Sequence, residues 1–487
     1  VIGSGVAGLA AAATLAQAGY AVTVVEKNAA PGGRASVWKS GGFTFDMGPS
    51  FYWMPDVFER FFARFGHRVA DLYDLRRLDP SYSIVFGPGD RWALPAGIGA
   101  VAGLFEREEK GAATALHRFL REAELKYELG MSELVYQPSL SWMEYARPKV
   151  VRELLRVSAL SSLRKHVHAH FQSPRIRQVM EFPVLFLGAT PQDTPALYSL
   201  MNHADIALGT WYPMGGMGRL IDAMVRVAEE QGAVIKTSSE VLAITTANGR
   251  VTGVDTVHGH LSADHVVATA DYAHVEQRLL PPALRSYSDA YWQQRVMAPS
   301  TLLFYLGVQG RLEGLDHHTL FFDASLDAHG ADLFVHKQWP RDPLFYVSCA
   351  SRTDPSVAPE GHENVVVLIP IPSSAEDTEA LRERYFHIVM DRLERHLGAT
   401  VRERIVIKRS YCVNDLIADH HAFRGNAYGL ANTLRQTGPW RPSVKSKKVS
   451  GLYFAGQLSV PGPGLPPAVI SGQVAADLLL REHVKHA

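Results

Sequence analysis

Three glycines near the start of the chain have the spacing of a phosphate-binding loop. Gly3, Gly5 and Gly8 form a G-x-G-x-x-G pattern in VIGSGVAGLAAAATLAQAGYAVTVVEK. In this pattern the first glycine permits a tight turn, the second lets the backbone approach a pyrophosphate, and the third lets helix and strand pack closely. Residues 1–2 indicate the end of a strand, and the Ala- and Leu-rich run 6–18 indicates a helix whose positive N-terminus faces the phosphates. The loop therefore predicts a dinucleotide site that also includes Ala7.

An acidic residue follows the loop at the distance that a ribose contact requires. Glu26 ends the second strand, AVTVVE, and Lys27 follows it. A carboxylate at this place accepts hydrogen bonds from both hydroxyls of the adenosine ribose, whereas it would repel a 2′-phosphate. The pattern therefore predicts FAD or NAD as the ligand, and excludes NADP.

Three further segments favour FAD over NAD. The turn PGGRAS contains Gly33 and Arg34 and resembles the G-G-[RK] extension of the flavin amine oxidase and carotenoid desaturase superfamily. The segment DMGPSFYWMP follows, and near the C-terminus a strand leads to a Pro/Gly loop and a last helix that begins near Pro466. The N–H groups and dipole of that helix would stabilise an anionic reduced flavin. A second α/β region is expected after residue 215. Together, these segments and that region add eight residues to the predicted cofactor-binding set: Gly48, Ser50, Phe51, Val241, Asp271, Gly456, Gly464 and Leu465.

The order of these motifs along the whole chain resembles the bacterial phytoene desaturases of the carotenoid desaturase family. The more specific segments are MGPSFYWMPDVF, YPMGGMG and DPSVAPEGHENVVVLIPIP. One departure is the loop GQLSVPGPGLPP, where several members of that family have GAGTHPGAGIPG. Since this loop is expected at the reactive face of the flavin, the resemblance leaves the exact polyene open.

The resemblance implies an FAD-dependent desaturase for a long, apolar acyclic carotenoid, with phytoene converted towards lycopene-type products. FAD takes a hydride from an allylic carbon, a neighbouring carbon loses a proton, and a conjugated double bond forms. Because a weak base suffices for that proton, no catalytic residue is assigned. The aromatic runs SFYWMPDVFERFFARF and FPVLFLG supply either a tunnel or ordinary core. We expect FAD to be held noncovalently.

The predicted fold is α/β, with a Rossmann-like FAD-binding domain, a discontinuous mixed-sheet substrate domain and a helical cap. The FAD-binding domain is expected at 1–78, 215–300 and 440–487, and the substrate domain at 79–100 and 301–439. Four strand-like runs, TLLFYLGVQG, LFYVSCA, NVVVLIPIP and RIVIKRSYCV, predict an antiparallel sheet in the substrate domain. Amphipathic runs predict helices across the cap, 101–214, which would also face the membrane.

Composition excludes several classes of partner and site. Lys plus Arg and Asp plus Glu both number 49, so no net field attracts nucleic acid. Cys349 and Cys412 have no metal or redox spacing, which suits a reducing cytosol, and no metal site is expected. The alternating histidines His166, His168 and His170 are expected to be solvated on a helix, and His420 and His421 are not expected to bind metal. The chain begins with Val, so we expect a few residues to precede it.

The apolar substrate and the missing spanning run predict peripheral attachment to the inner face of the cell membrane. The sequence has one convincing dinucleotide site, which FAD is expected to occupy. The other glycine-rich segment, YPMGGMG, lacks a preceding strand and an acid. We therefore expect quinone or oxygen, and not NAD(P), to be the electron acceptor. Four alternatives stay open: a hydroxycarotenoid 3,4-desaturase, a carotenoid oxygenase, a flavin amine oxidase, and a prenyl-lipid escort resembling the GDP-dissociation inhibitors.

Overall fold

A parallel sheet joins the first and last parts of the chain. The structure, a computed structural model, describes residues 1–145 and 161–484. Strand Thr23–Val25 pairs in parallel with Val234–Lys236, and strand Val266–Ala268 pairs in parallel with Leu452–Phe454. Ile2 bridges both pairs, because it contacts Val25 on one side and Ala268 on the other. The predicted Rossmann-like sheet is therefore present, with the opening residues at its centre.

Two helices cover this sheet and pack against each other. The first helix is Val6–Gln17, one residue shorter than predicted, and the C-terminal helix is Leu465–Val484. Small side chains on the first helix are fully buried, since Ala10, Ala11, Ala12 and Ala13 have no exposed surface. Small residues let helices approach closely, which explains the long alanine run in the sequence.

A second, seven-stranded sheet is built mostly from the middle of the chain. Its spatial order is Ile405–Tyr411, Ser300–Gln309, His362–Ile371, Phe345–Ser348, His318–Phe321, Tyr82–Gly87, Asp90–Leu94. All neighbouring pairs are antiparallel except His318–Phe321 with Tyr82–Gly87. The four strands predicted from 301 onward are confirmed within a residue or two at their N-terminal ends. The strand at His318–Phe321 was not predicted from the sequence.

The two faces of this sheet have different partners. On one face, Leu302, Phe304 and Val367 are fully buried in a cluster with side chains of helix Glu379–Leu397. On the opposite face, alternate residues such as Leu303 and Leu368 point away from that helix, because side chains of a strand alternate between faces. Much of this second face is also covered, because Leu303 and Leu368 pack in one cluster with Phe43, Phe45 and Leu416.

The segment between the two sheets is helical, as predicted for the cap, where the structure describes it. The α-helices here are Ile98–Glu108, Ala112–Leu129, Leu163–His170, Pro174–Glu181 and Leu200–Asn202, joined by short 3-10 and π turns. The first part of the run VRELLRVSALSSLRKHVHAHF, 151–160, lies outside the described residues. Within the described residues, no helix has the length and hydropathy needed to cross a bilayer.

The remaining elements are short and connect these layers. The strands are Val37–Ser40, Phe43–Asp46, Leu75–Arg77, Trp211–Pro213, Val241–Ala247, Arg250–Thr256 and Gly259–Ser262. The helices are Pro55–Ala63, Val69–Leu72, Gly218–Glu230, Tyr272–His274, Asp289–Gln293, Leu326–Ala331 and Val413–His420. The division of the chain into three domains at the boundaries given above stays a prediction.

Candidate functional site

The glycine loop connects the central residues of the parallel sheet to the first helix. Gly5 is the N-cap of this helix, and its carbonyl accepts the Leu9 N–H at 2.9 Å. A Cβ on Gly8 would lie 2.0 Å from the Gly3 carbonyl oxygen, so only glycine lets the helix approach the loop this closely. Gly8 therefore has the packing role expected of the third glycine.

Glu26 is oriented by the loop itself. Its side chain is 5 % exposed. Oε2 accepts hydrogen bonds from the Ser4 N–H and hydroxyl, both at 2.8 Å, and Oε1 accepts the Asn28 N–H at 2.9 Å. A carboxylate held in this way has further lone pairs for ribose hydroxyls. Ser4 is a partner that the sequence pattern did not single out.

Arg34 and Asp271 carry opposite charges beside the loop, and each shifts the pKa of the other. Burial lowers the pKa of Arg34, and the nearby Asp271 carboxylate raises it. Burial raises the pKa of Asp271, whereas Arg34 lowers it. Asp271 accepts the N–H groups of Ala273 and Phe423, both at 3.1 Å. Arg34 Nε is buried without a hydrogen-bond partner, as expected of a guanidinium that meets an anionic ligand.

The last helix begins one residue before the predicted Pro466, and it offers fewer N–H donors than expected. Pro466 and Pro467 have no N–H group, and the Ala468 N–H is bonded to the Gly464 carbonyl at 2.9 Å. Leu465 keeps an N–H group at the start of the helix. The expectation of several free N–H groups is therefore wrong, while the dipole of the twenty-residue helix remains.

One cavity of about 370 Å³ brings the predicted site residues together. Of the sixteen residues in the predicted cofactor-binding set, only Gly8 does not line it. The cavity walls include Gly3, Gly5, Ala7, Glu26, Lys27, Gly33, Arg34, Gly48, Ser50, Phe51, Val241, Asp271, Gly456, Gly464 and Leu465. The close-packed glycine loop, the acid, and a guanidinium whose Nε has no hydrogen-bond partner line or adjoin one cavity, and they fit a flavin dinucleotide.

A row of side chains across the seven-stranded sheet forms another wall of the same cavity. Tyr411 pairs with Leu303, Leu303 pairs with Leu368, and Leu368 pairs with Tyr346 on successive strands. All four line the cavity. Since directly paired residues share a face of the sheet, this row is a continuous apolar surface with two phenol groups. Sequence reasoning missed it because the pairing register is not readable from one strand.

The aromatic run after DMGPS divides between cavity and core. Phe51, Trp53 and Met54 line the cavity. Phe58 and Phe61, further along the run, are fully buried in the main hydrophobic core. The first part of this run therefore lines the cavity and the second part is core, and a substrate tunnel stays a prediction. In the run FPVLFLG, the side chains of 185–187 lie outside the described ones.

Two cavity residues lie at the C-terminal end of helix Val413–His420. His420 and His421 line the cavity, and His421 lies 2.8 Å from Glu240. Burial lowers the pKa of His420 to about 3, with Arg34 and Lys27 acting in the same direction. Neither histidine was predicted to be at the site. Their only sequence signal is the adjacent HH pair, whose placement depends on tertiary structure.

The histidines of the cap differ from the prediction. His166 is buried, 3.3 Å from Lys126 Nζ, so the expectation that it is solvated is wrong. Burial lowers the pKa of His166 to about 3. His168 Nε2 lies 3.2 Å from a carboxylate oxygen of Glu181. Among the described residues, no group of His, Cys, Asp or Glu has the geometry of a metal site, and Cys349 and Cys412 are buried.

The second glycine-rich turn, YPMGGMG, follows a strand, so the expectation that it lacks one is wrong. The strand Trp211–Pro213 precedes it and helix Gly218–Glu230 follows. The strand pairs antiparallel with Leu75–Arg77 and is outside the parallel sheet. Two N–H groups of the glycine-rich turn are already used. Asp354 accepts the Gly215 N–H at 2.5 Å, and Asp46 accepts the Met217 N–H at 2.9 Å.

Comparisons with known proteins agree with this geometry. A sequence profile of the flavin containing amine oxidoreductase family matches residues 6–480. The chain is 42 % identical over 484 residues to a carotenoid 3,4-desaturase of Haloarcula japonica, covering 99 % of this chain and 98 % of that one. It is 32 % identical to a zeta-carotene-forming phytoene desaturase of Myxococcus xanthus, covering 99 % and 93 %. The crystal structure of an oxidoreductase from Methanosarcina mazei has the same fold, with a TM-score of 0.65, 17 % identity, and coverage of 98 % and 99 %.

Proposed function

The chain belongs to the flavin containing amine oxidoreductase family and, within it, to the carotenoid desaturases, and from this premise we propose that it desaturates an acyclic carotenoid. The observation that carries the proposal is the single cavity in which a dinucleotide loop meets an apolar sheet wall. The row from Tyr411 to Tyr346 has two leucines at its centre and no charged side chain, which favours an apolar polyene over a charged amine at that wall. A prenyl-lipid escort has no use for Glu26 and Arg34.

The residues of the cavity divide the work of holding cofactor and substrate. FAD, when bound, supplies the hydride acceptor for the reaction. Glu26 accepts from the ribose hydroxyls, and Arg34 faces the anionic part of the cofactor. Leu303 and Leu368 contact the polyene and exclude water from it. The full cofactor-binding set given above, including Val241 and Gly456, is part of this proposal.

Two substrates are candidates within the class. The motif order favours phytoene as the substrate, converted stepwise to lycopene-type products. Relatives that support this assignment include the phytoene desaturases of Myxococcus xanthus and Fusarium fujikuroi, at 32 % and 29 % identity. A 3,4-desaturation is favoured by the higher identity, 42 %, to the Haloarcula japonica enzyme.

Pigment analysis separates these candidates. The chain is expressed in one host that accumulates phytoene and in a second host that accumulates lycopene, and the carotenoids are identified by chromatography and absorption spectra. New polyenes of longer absorption wavelength in the first host support phytoene desaturation, and in the second host alone they support 3,4-desaturation. Unchanged pigments in both hosts, with FAD-loaded protein present, would contradict the proposal.

We propose that an exposed apolar patch, formed by Trp142, Met143 and Trp440, attaches the protein to a membrane surface. Trp142 is 51 % exposed, Met143 83 % and Trp440 50 %, and the two indole rings are 4.5 Å apart. Tryptophan favours the interface between water and lipid, because its ring is apolar and its N–H group is polar. The patch therefore supplies an apolar contact suited to a membrane surface.

The patch is tested by sedimentation with liposomes. The double variant Trp142→Ala and Trp440→Ala is expected to lose most of its binding to vesicles, while its FAD content stays unchanged. A matched control is Trp339→Ala, because the Trp339 indole donates to the Glu376 carbonyl in the substrate sheet region. Equal binding of the double variant and wild-type protein would contradict the patch.

We also propose that quinone or oxygen reoxidises the reduced cofactor. The support is that the N–H groups of Gly215 and Met217 in the second glycine-rich turn are already bonded to carboxylates. An anaerobic assay mixes the reduced enzyme separately with quinone, oxygen or NAD(P) and follows the flavin absorbance. Rapid reoxidation by NAD(P) alone would overturn this part of the proposal.

A further inference from the structure

A tyrosine of the cavity wall is paired with a buried histidine behind it. Tyr346 lines the cavity, and its hydroxyl lies 2.6 Å from Nδ1 of His318 on the neighbouring strand. His318 has no exposed surface. The side chain of Ser50, another cavity residue, also interacts with the Tyr346 hydroxyl. The pair therefore connects the ligand cavity to a titratable group inside the protein.

The surroundings of His318 leave its second nitrogen open and cover its ring. Nε2 of His318 is buried without a hydrogen-bond partner among the described residues. The ring of Phe51 is stacked on the imidazole, with 4.1 Å between centroids and 16° between planes. An aromatic face stabilises a cation placed over it. The contact with Phe51 would therefore offset part of the free-energy cost of burying an imidazolium at this place.

Both groups are neutral before reaction. Burial raises the pKa of Tyr346, so its hydroxyl keeps its proton. Burial lowers the pKa of His318 well below its usual value, and the neighbouring His317 acts in the same direction. With the imidazole proton on Nε2, Nδ1 of His318 is the acceptor and the Tyr346 hydroxyl is the donor, which is the tautomer that the relay requires.

We propose that Tyr346 is the catalytic residue that accepts the proton lost by the substrate, and that His318 is its positioning and relay partner. This inference rests on the proposed function. As one substrate carbon gives up its hydride to the oxidant, the C–H bond of the neighbouring carbon breaks and its electron pair forms the new double bond. The released proton binds the Tyr346 oxygen, while the Tyr346 hydroxyl proton moves to Nδ1 of His318.

The relay leaves one proton on His318 after each double bond is made. It is held there as an imidazolium beneath Phe51, and it returns through Tyr346 to water when the product leaves the cavity. A base of low strength is adequate here, because loss of the hydride makes the neighbouring C–H bond strongly acidic.

The test measures anaerobic reduction of the FAD-loaded protein by its carotenoid in stopped flow, in H₂O and in D₂O. Tyr346→Phe is expected to slow flavin reduction by about 100-fold, the lower end of general acid–base effects. It should also abolish the solvent isotope effect seen with wild-type protein, since the relayed hydroxyl proton is the exchangeable one. His318→Gln keeps an acceptor for the phenol but cannot hold a proton, so it should slow the reaction similarly.

The control is Tyr385→Phe, which removes a buried phenol that donates to the Pro340 carbonyl at 2.6 Å outside the cavity. Its reduction rate and isotope effect should match wild type. Wild-type rate in Tyr346→Phe, or an unchanged solvent isotope effect in that variant, would overturn the relay. If wild-type flavin is not reduced by any acyclic carotenoid, the proposed function itself fails, and the two failures are thereby distinguished.

Discussion

Glu26 offers the sharpest test of cofactor binding, through the substitution Glu26→Ala. The carboxylate is buried and accepts three hydrogen bonds, two from Ser4 and one from Asn28. In the complex it would also accept from the ribose hydroxyls, and a charge-assisted hydrogen bond contributes roughly 1.5–3 kcal/mol. Loss of this contribution corresponds to a dissociation constant for FAD that is about 10- to 150-fold higher.

The same substitution also leaves donors of the loop without a partner. An unsatisfied buried donor costs about 1–3 kcal/mol, so the apoprotein should lose stability as well. The matched control is Glu276→Ala, since Glu276 is fully buried and accepts the N–H groups of Ser286 and Tyr287 outside the cavity. Both variants should unfold at lower temperature, but only Glu26→Ala should weaken FAD binding.

The assay is titration of the apoprotein with FAD, followed by quenching of flavin fluorescence, together with thermal unfolding. Glu26→Gln, which keeps an acceptor oxygen and removes the charge, should give an intermediate dissociation constant. If Glu26→Ala binds FAD as tightly as wild-type protein, or if Glu276→Ala weakens binding equally, the assigned ribose contact is wrong.

Three further changes have expected outcomes. Gly464 has φ +117° and an added Cβ would lie 3.2 Å from Pro467, so Gly464→Leu should lower flavin reduction at least 10-fold while the melting temperature falls by only a few degrees, measured by stopped flow and calorimetry. Burial lowers the pKa of His329 from 6.5 to about 4, so its contribution to stability is fully present above pH 6.5 and is lost as pH falls towards 4. His329→Gln should therefore flatten the pH dependence of the unfolding free energy in that window by about 1.4 kcal/mol per pH unit, measured by urea unfolding. Arg441 donates to carbonyls of the loop 457–459, so Arg441→Lys should raise the dissociation constant for FAD several-fold in the same fluorescence titration, and equal binding would contradict this role.

Local patterns in the sequence predicted a set of residues that lie together on one cavity, whose role in holding the cofactor stays a prediction. The glycine loop, Glu26 and Arg34 lie within 32 residues of one another, so turn, helix and strand signals fix their arrangement without long-range information. The strands of the second sheet were predicted for a similar reason, because apolar runs bounded by turn residues are readable one at a time. The prediction of a mixed, discontinuous sheet was confirmed by the participation of Tyr82–Gly87.

The wall of the cavity formed by the seven-stranded sheet could not be predicted in the same way. Tyr346 and Leu303 are adjacent to Leu368 only through the register of three strands that are far apart in sequence. A shift of one residue would turn each of these side chains to the opposite face, where helix Glu379–Leu397 packs. His318 was missed because its strand is only four residues long, and its partner Tyr346 lies 28 residues away.

Two glycine-rich turns in this chain each lead into a helix, yet they present opposite electrostatics. The first leads into a helix from Gly5, with Arg34 on the adjoining cavity wall, so an anionic phosphate meets a helix N-terminus and a guanidinium. At the second turn the carboxylates of Asp46 and Asp354 occupy the N–H groups that a phosphate would need. Burial raises the pKa of Asp46 to about 6, whereas its hydrogen bond from the Met217 N–H favours the carboxylate, and a carboxylate at this place repels phosphate. Glycine spacing alone therefore does not make a nucleotide site, and the charge beside the turn decides between the two. Because only the first turn has a favourable charge, the second turn lacks the features of a nicotinamide site, and this supports the proposal that quinone or oxygen accepts the electrons.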